Sequence, residues 1–275
     1  MKLATIRRGD ATAAVRIDGD RAVEISGTAS LGELLAHPDW RNLAESASGA
    51  ADHDVAGLDY EILVPRPDKI VCVGLNYRNH ILEMGREPPE HPTLFAKYRS
   101  ALIGAHDDIA MPPQSDRVDW EAELAVIIGA PARNVSEADA PGAIAGYSVL
   151  NDVTARDFQS RTLQWLQGKT FEGTTPLGPW MVTSDEADGL SGEISCEVNG
   201  ETMQKSDIGD LVFGPAALVA YISSIITLLP GDVIASGTPG GVGSGMKPPR
   251  FLNDGDVVTT RIQGIGECRN VCRRA

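Results

Sequence analysis

The stretch DWEAELAVIIG, Asp119–Gly129, decides the reading of this chain. Side chains alternate across a β-strand, so residues i and i+2 share a face. Leu124, Val126 and Ile128 then form one apolar row that points into a core. Glu121 and Glu123 stand side by side on the other face, ~7 Å apart along the strand. Two like charges at the mouth of a buried strand are costly unless something positive sits between them.

Working outward, further strand signals surround this one. KIVCVG, GYSVLND, DVIASGTP and GDVVTTRIQGIG each read as strands, and EISCEVNGETMQ reads as a hairpin with an Asn-Gly turn. Few of them alternate with helices in the βαβ manner. The expectation is a mainly β (α+β) protein, a rolled or barrel-like sheet with a few helices outside. Residues 1–64 read as a small N-terminal domain of short strands and turns. They include the hairpin RIDGDRAVEI and a helix from Ser30, with Ser30 as N-cap and Glu33 at the capping-box position. The segment VPRPDKI, with prolines on both sides of Arg66, is a stiff connector. It places the second domain at residues 65–275.

Composition narrows the function classes. The chain has 275 residues, a hydrophobic fraction of 42%, a charged fraction of 23% and a net charge of -14. Nucleic acid recruits Lys and Arg, so this balance argues against it. It leaves room for a small anionic substrate, because a metal or a few local cations can invert the field inside a cleft. Four cysteines without a CxxC pair in a long chain predict reduced thiols in a cytoplasmic protein. The N-terminus lacks the continuous apolar run of a signal peptide. The uncharged stretch Leu211–Leu229 contains Gly214-Pro215, where a helix would start, and spaces its apolar residues at 218, 221, 222, 225 and 229. It predicts a buried core helix rather than a membrane span.

Three acids at strand ends are the first chemical candidates. Asp152 follows the strand GYSVLND, and alone it would read as an N-cap. Glu121 and Glu123 alone would read as a solvated face. Together, three oxygen donors with no His or Cys nearby in sequence suit a hard cation such as Mg2+, Mn2+ or Ca2+. In GLNYRNHILEMG, His80 and Glu83 share a helical face, an arrangement that orients an imidazole as a general base. Arg156 and Gln159 follow Asp152 by about one turn, and GKTF offers Lys169. The loop SGTPGGVGSG departs from GxGxxG but could cradle a carboxylate through its amides and Thr238.

The order of these motifs resembles the fumarylacetoacetate hydrolase superfamily. The matching segments are GLNYRNHILEMG, DWEAELAVIIG, GYSVLNDVTARDFQ, GKTFEGTTPLGPW, VNGE, LLPGDVIASGTPGGVG and FLNDGDVV, from about Lys69 to the C-terminus. The resemblance implies a mixed β-roll with peripheral helices, preceded by a small N-terminal α/β domain. It implies Glu121, Glu123 and Asp152 as ligands of Mg2+, with Mn2+ or Ca2+ as substitutes and no organic cofactor. It implies His80 and Glu83 as a water-activating dyad and Lys169 as the stabiliser of a developing enolate. Arg156, Gln159 and Thr238 match substrate-contacting positions. Glu172 stands where many relatives carry Asp.

The implied activity is hydrolysis of the C3–C4 bond of an acylpyruvate-type substrate, by way of an enolate at the metal. The same enolate chemistry would serve an isomerase of 2-hydroxyhepta-2,4-dienedioate or 5-carboxymethyl-2-hydroxymuconate, or an oxaloacetate decarboxylase. A catalytically silent, metal-containing binding protein is the rival from another class. The implied partners are a small 2-oxo acid anion and a second copy of the chain in a homodimer.

Overall fold

A computed structural model describes residues 1–48, 52–83, 85, 87–187 and 191–274, without the side chains of residues 80 and 83. Strand Ala122–Ile128 lies in an eleven-stranded sheet. It pairs antiparallel with Ile144–Asn151 on one side and with Val233–Ala235 on the other. Beyond Val233–Ala235 come Ile70–Gly74, parallel to it, and Thr93–Lys97 at the edge. In the other direction the sheet continues through Thr175–Thr183 into the N-terminal strands Lys2–Arg8, Ala11–Asp18, Arg21–Glu24 and Asp52–Asp54. Lys2 and Leu3 pair with Val182 and Met181, so residues 1–64 and the rest of the chain share one sheet.

A second, five-stranded sheet carries Glu193–Val198, Glu201–Asp207, Val257–Ile262, Gly266–Arg274 and Ile109–Met111. Its buried side chains Ile194, Cys196, Val258 and Ile262 share one core with Leu124, Val126 and Ile128. The opposite face of the long strand is buried too. Ala125 and Ile127 share a second core with Leu31, Leu34, Leu35 and Trp40, from the N-terminal helices Leu31–Leu35 and Trp40–Ser46. The alternation in the sequence therefore separates two cores rather than core from solvent, which is why the run carries no polar residue after Glu123.

Local signals settle the rest. Asn199 and Gly200 both take positive φ, at 54° and 80°, and close the Glu193–Val198/Glu201–Asp207 hairpin. Ser30 Oγ accepts from the Glu33 amide at 3.2 Å, and Glu33 reaches back to the Ala29 amide at 2.8 Å. GDVVTTRIQGIG is the first strand of a hairpin and its turn, and Gly266–Arg274 returns along it. The stretch Leu211–Leu229 forms helix Pro215–Ile225, buried at Leu218, Val219, Ile222 and Ser223. No helix among the described residues is long and apolar enough to cross a membrane.

Candidate active site and metal centre

The strand pairing assembles the site. Glu121 and Glu123 enter strand Ala122–Ile128, and Asp152 leaves the adjacent antiparallel strand Ile144–Asn151. The Asp152 amide donates to the Glu121 carbonyl at 2.8 Å, and the Asn151 side chain accepts from the Glu121 amide at 2.9 Å. These contacts bring the two strand ends level. One carboxylate oxygen from each of Glu121, Glu123 and Asp152 lies within 4.8 Å of the others, and all three residues are buried. Gly237, at φ +102°, turns its amide toward Glu123 and donates to Oε2 at 2.9 Å. A side chain there would meet Asn76 and the Val73 carbonyl, so the close approach requires glycine.

Cations surround the acids. Lys169, only 2% exposed, places Nζ 2.5 Å from Glu121 Oε2 and 2.9 Å from Asp152 Oδ2. Lys97 Nζ pairs with Asp152 Oδ1 at 2.9 Å and donates to the Lys169 carbonyl. Arg156 donates from Nη1 to Gln159 Oε1 at 3.0 Å and pairs with Glu121 Oε1 at 2.6 Å. Its Nη2 is buried without a hydrogen-bond partner. Gly168 makes this convergence possible, because a Cβ there would meet the Gln159 amide at 2.5 Å. Helices Arg156–Gln159 and Leu166–Lys169 therefore pack closely enough to share one cleft.

The charge states follow from burial and neighbours. Burial pushes the Glu123 carboxyl well above its ordinary value, and Asp152 and Glu121 push it further. Burial also acts against the Asp152 carboxylate, but Lys169 and Lys97 more than reverse it and hold that group below its ordinary value. Burial opposes the Lys169 charge, yet Asp152 and Glu121 raise its pKa above the ordinary lysine value. Lys169 is therefore an ammonium at neutral pH.

The residue set fits a divalent metal. Four buried carboxylates, Asp119, Glu121, Glu123 and Asp152, stand against three cations, Lys97, Arg156 and Lys169. With Glu123 ionised, as metal ligation requires, one negative charge is in excess, and a divalent ion would turn it into one positive charge. Three converging carboxylate oxygens are donors that hard cations prefer. The cleft above the acids measures about 180 Å3 and is lined by Gly74, Phe95, Arg156, Gln159, Trp165, Lys169, Thr238 and neighbouring residues.

The family described as Fumarylacetoacetate (FAA) hydrolase C-terminal matches residues 69–273. The chain belongs to this family. Among curated relatives, the rat protein named oxaloacetate tautomerase Fahd2a, mitochondrial, is 46% identical over 205 residues, 74% of this chain. The match covers 66% of the rat protein, so this chain spans just under two thirds of that relative. A solved fumarylacetoacetate hydrolase from the psychrophile Exiguobacterium antarcticum is 33% identical with a TM-score of 0.89, over the whole of both chains. Maleylpyruvate hydrolase from Sphingobium sp. SYK-6, solved with manganese(II) and pyruvate, is 29% identical with a TM-score of 0.82, again over the whole of both. The chain is thus a fumarylacetoacetate hydrolase family enzyme.

In this family member, seven of the nine site residues expected from the sequence gather around one cleft. Glu121, Glu123, Arg156, Gln159, Lys169 and Thr238 line it, and Asp152 lies beneath, paired with Lys169. His80 and Glu83 fall in helix Arg78–Glu83, but their side chains lie outside the described residues. Thr238 accepts from Gln204 Nε2 at 2.8 Å, while Gln204 Oε1 accepts from the Ala122 amide at 2.9 Å. Sequence reasoning missed Gln204, Lys97, Asp119 and Trp165. Lys97 ends an edge strand, where lysine ordinarily reaches solvent, and nothing in TLFAK marks it as buried. Asp119 opens the decisive stretch in phase with Glu121 and Glu123, but it ends a separate short strand, Val118–Asp119.

Proposed function

We propose that this chain catalyses the keto–enol interconversion of oxaloacetate, with a divalent ion such as Mg2+ or Mn2+ bound by Glu121, Glu123 and Asp152. The observation that carries the reading is the buried, unpartnered Nη2 of Arg156 beside the three acids. An unpaired buried guanidinium nitrogen is costly, and a substrate carboxylate relieves it. A cleft of about 180 Å3 suits a short dicarboxylate. The name of the rat relative supports the same substrate.

Enolisation removes one proton from C3 and places one on the C2 oxygen, and no bond between heavy atoms is broken. When bound, the metal supplies positive charge that stabilises oxyanion character at C2. Arg156 and Gln159 bind the substrate carboxylate. Lys169, held charged by Asp152 and Glu121, donates to the C2 oxygen. His80, oriented by Glu83, takes the proton from C3.

Hydrolysis of an acylpyruvate is the second reading. His80 and Glu83 at i and i+3 of helix Arg78–Glu83 favour it, because the same pair can activate water. Oxaloacetate decarboxylation uses the same enolate with CO2 as leaving group.

We take the working unit to be a homodimer, for which the exposed Ile225, Ile226 and Leu229 provide an apolar patch. We place it in the cytoplasm, in keeping with four buried free cysteines; the mitochondrial location belongs to the rat protein's name.

The test follows enol decay of oxaloacetate by ultraviolet absorbance, alongside pyruvate release from oxaloacetate and acetylpyruvate. Metal-dependent acceleration without pyruvate, lost with EDTA and in Glu123→Ala, supports the tautomerase. Pyruvate from acetylpyruvate moves the assignment to hydrolase, and pyruvate from oxaloacetate moves it to decarboxylase.

A further inference from the structure

Asp119 is fully buried, yet it is neither one of the three converging acids nor a lining residue of the cleft. It ends the short strand Val118–Asp119, which pairs with Thr154–Ala155 so that Asp119 faces Thr154, two residues before Arg156. Its Oδ1 accepts from the Trp120 amide at 2.9 Å and the Gly243 amide at 2.7 Å. Its Oδ2 accepts from the Ser244 amide at 2.9 Å and from Arg156 Nε at 2.8 Å. A carboxylate offers about four lone-pair sites, and here each is occupied. Asp119 has no capacity left for a metal or a substrate.

We infer that Asp119 is a positioning residue that aims Arg156 and fixes the glycine loop 241–245 against it. A guanidinium is planar, so fixing two of its nitrogens fixes the third. Asp119 holds Nε, and Glu121 with Gln159 holds Nη1. The direction of the unpartnered Nη2 is then determined. The same carboxylate pins Gly243 and Ser244, next to Val242, which lines the cleft. Trp120 Nε1 adds a hydrogen bond to the Gly241 carbonyl at 3.1 Å. A Cβ on Gly243 would meet Asp119 Oδ1 at 2.9 Å, so this residue must be glycine for the loop to close on the carboxylate. Selectivity for an anionic substrate is thereby set in part by a residue that never touches it.

The inference rests on the proposed role of Arg156 as carboxylate partner. Its test is therefore a binding measurement that does not depend on turnover. The probe is pyruvate, titrated calorimetrically into the manganese-loaded protein, with manganese affinity measured separately by electron paramagnetic resonance. Asp119→Asn removes the charge opposite Arg156 and turns its NH2 either on the Ser244 amide and Arg156 Nε–H or on the Trp120 and Gly243 amides, donor against donor in both cases. Pyruvate affinity is expected to fall at least about tenfold, the loss of one well-directed charge-assisted hydrogen bond. Manganese affinity should stay within about threefold. In an Arg156→Lys background, whose flexible ammonium needs no fixed plane, the same change should cost less than about threefold. Asp119→Glu keeps the buried charge and displaces it by one methylene. It is the second variant should the asparagine protein fail to fold, and the same selective loss of pyruvate is expected.

Unchanged pyruvate affinity overturns the inference. So does an equal loss in the Arg156→Lys background, or a parallel loss of manganese. Wild-type protein that binds pyruvate but does not turn over oxaloacetate would overturn the tautomerase reading and leave the role of Asp119 standing.

Discussion

The Lys169 ammonium lies 2.5 Å from the Glu121 carboxylate, and both side chains are almost fully buried. It also contacts Asp152 on the neighbouring strand, so one lysine joins two of the three acids. Substituting Lys169→Met keeps the length of the side chain and removes the charge. Removing one partner of a buried ion pair typically costs about 3–5 kcal/mol. The metal-free variant should therefore melt well below wild type, and added Mn2+ should recover part of the loss by supplying another cation. Turnover should fall about 10²–10³-fold even with metal bound, the usual cost of losing one group aimed at developing oxyanion charge. Melting curves with and without Mn2+, together with kcat, check both halves; a variant with wild-type kcat would remove Lys169 from the chemistry.

Glu123 links metal to pH. Its carboxyl is raised above the ordinary value of 4.5 by burial first, and then by Asp152 and Glu121. Between 4.5 and the raised value, the folded metal-free chain keeps a proton at Glu123 that the unfolded chain has released. Its stability therefore falls as pH rises through that window. Asp152 works in the opposite direction and in a lower window. Lys169 and Lys97 overcome its burial and hold it below 3.8, so its contribution is full above that value and fades as pH falls. Metal binding needs deprotonated ligands and displaces the Glu123 proton. The rise in melting temperature caused by Mn2+ should thus be larger at about pH 8 than at about pH 5. Glu123→Gln should raise the melting temperature of the metal-free protein at the higher pH and abolish the metal's effect. Calorimetry in buffers of different ionisation enthalpy would register the released proton directly; no proton release would contradict the raised Glu123.

How much of this was legible beforehand follows from the kind of signal each residue leaves. Period-two alternation in DWEAELAVIIG was enough to pair Glu121 with Glu123 and to set Leu124, Val126 and Ile128 apart from them. It could not reveal that Ala125 and Ile127 are buried too, because the N-terminal helices that cover them lie about ninety residues away in sequence. Asn199-Gly200 and Ser30 signalled their turn and cap because those conformations depend on local chemistry. Lys97 and Asp119 left no local trace. Each is defined by partners distant in the chain, Lys97 by Asp152 and Asp119 by Gly243, and only the assembled sheets bring those pairs together.

Gly237 offers a backbone test of the metal centre. At φ +102° a β-carbon is strained, and here it would also lie 2.9 Å from both the Asn76 Cβ and the Val73 carbonyl oxygen. Gly237→Ala should destabilise the fold by about 1–3 kcal/mol. The shift that relieves the clash moves the amide away from Glu123 Oε2. Mn2+ affinity should fall with it. Ala substitution at Gly200, which also has positive φ but open space around it, is the control: it should destabilise through strain alone and leave Mn2+ affinity unchanged.

The last expectation separates an enzyme from a binding protein that merely keeps the fold. His80 is the proposed proton acceptor, whereas the acids that would hold the metal are Glu121, Glu123 and Asp152. His80→Ala should therefore leave Mn2+ affinity and melting temperature within error of wild type. The rate of oxaloacetate interconversion should drop about 10²–10⁴-fold, the usual contribution of a positioned general base. Glu83→Gln should give a smaller loss, because it removes the group that orients the imidazole and leaves the imidazole in place. Any activity toward acetylpyruvate should fall in parallel, since activating water demands the same base. If interconversion survives His80→Ala while hydrolysis is lost, the two reactions use different bases, and another group must take the C3 proton. A variant that binds Mn2+ normally and keeps every activity would remove the dyad from catalysis altogether.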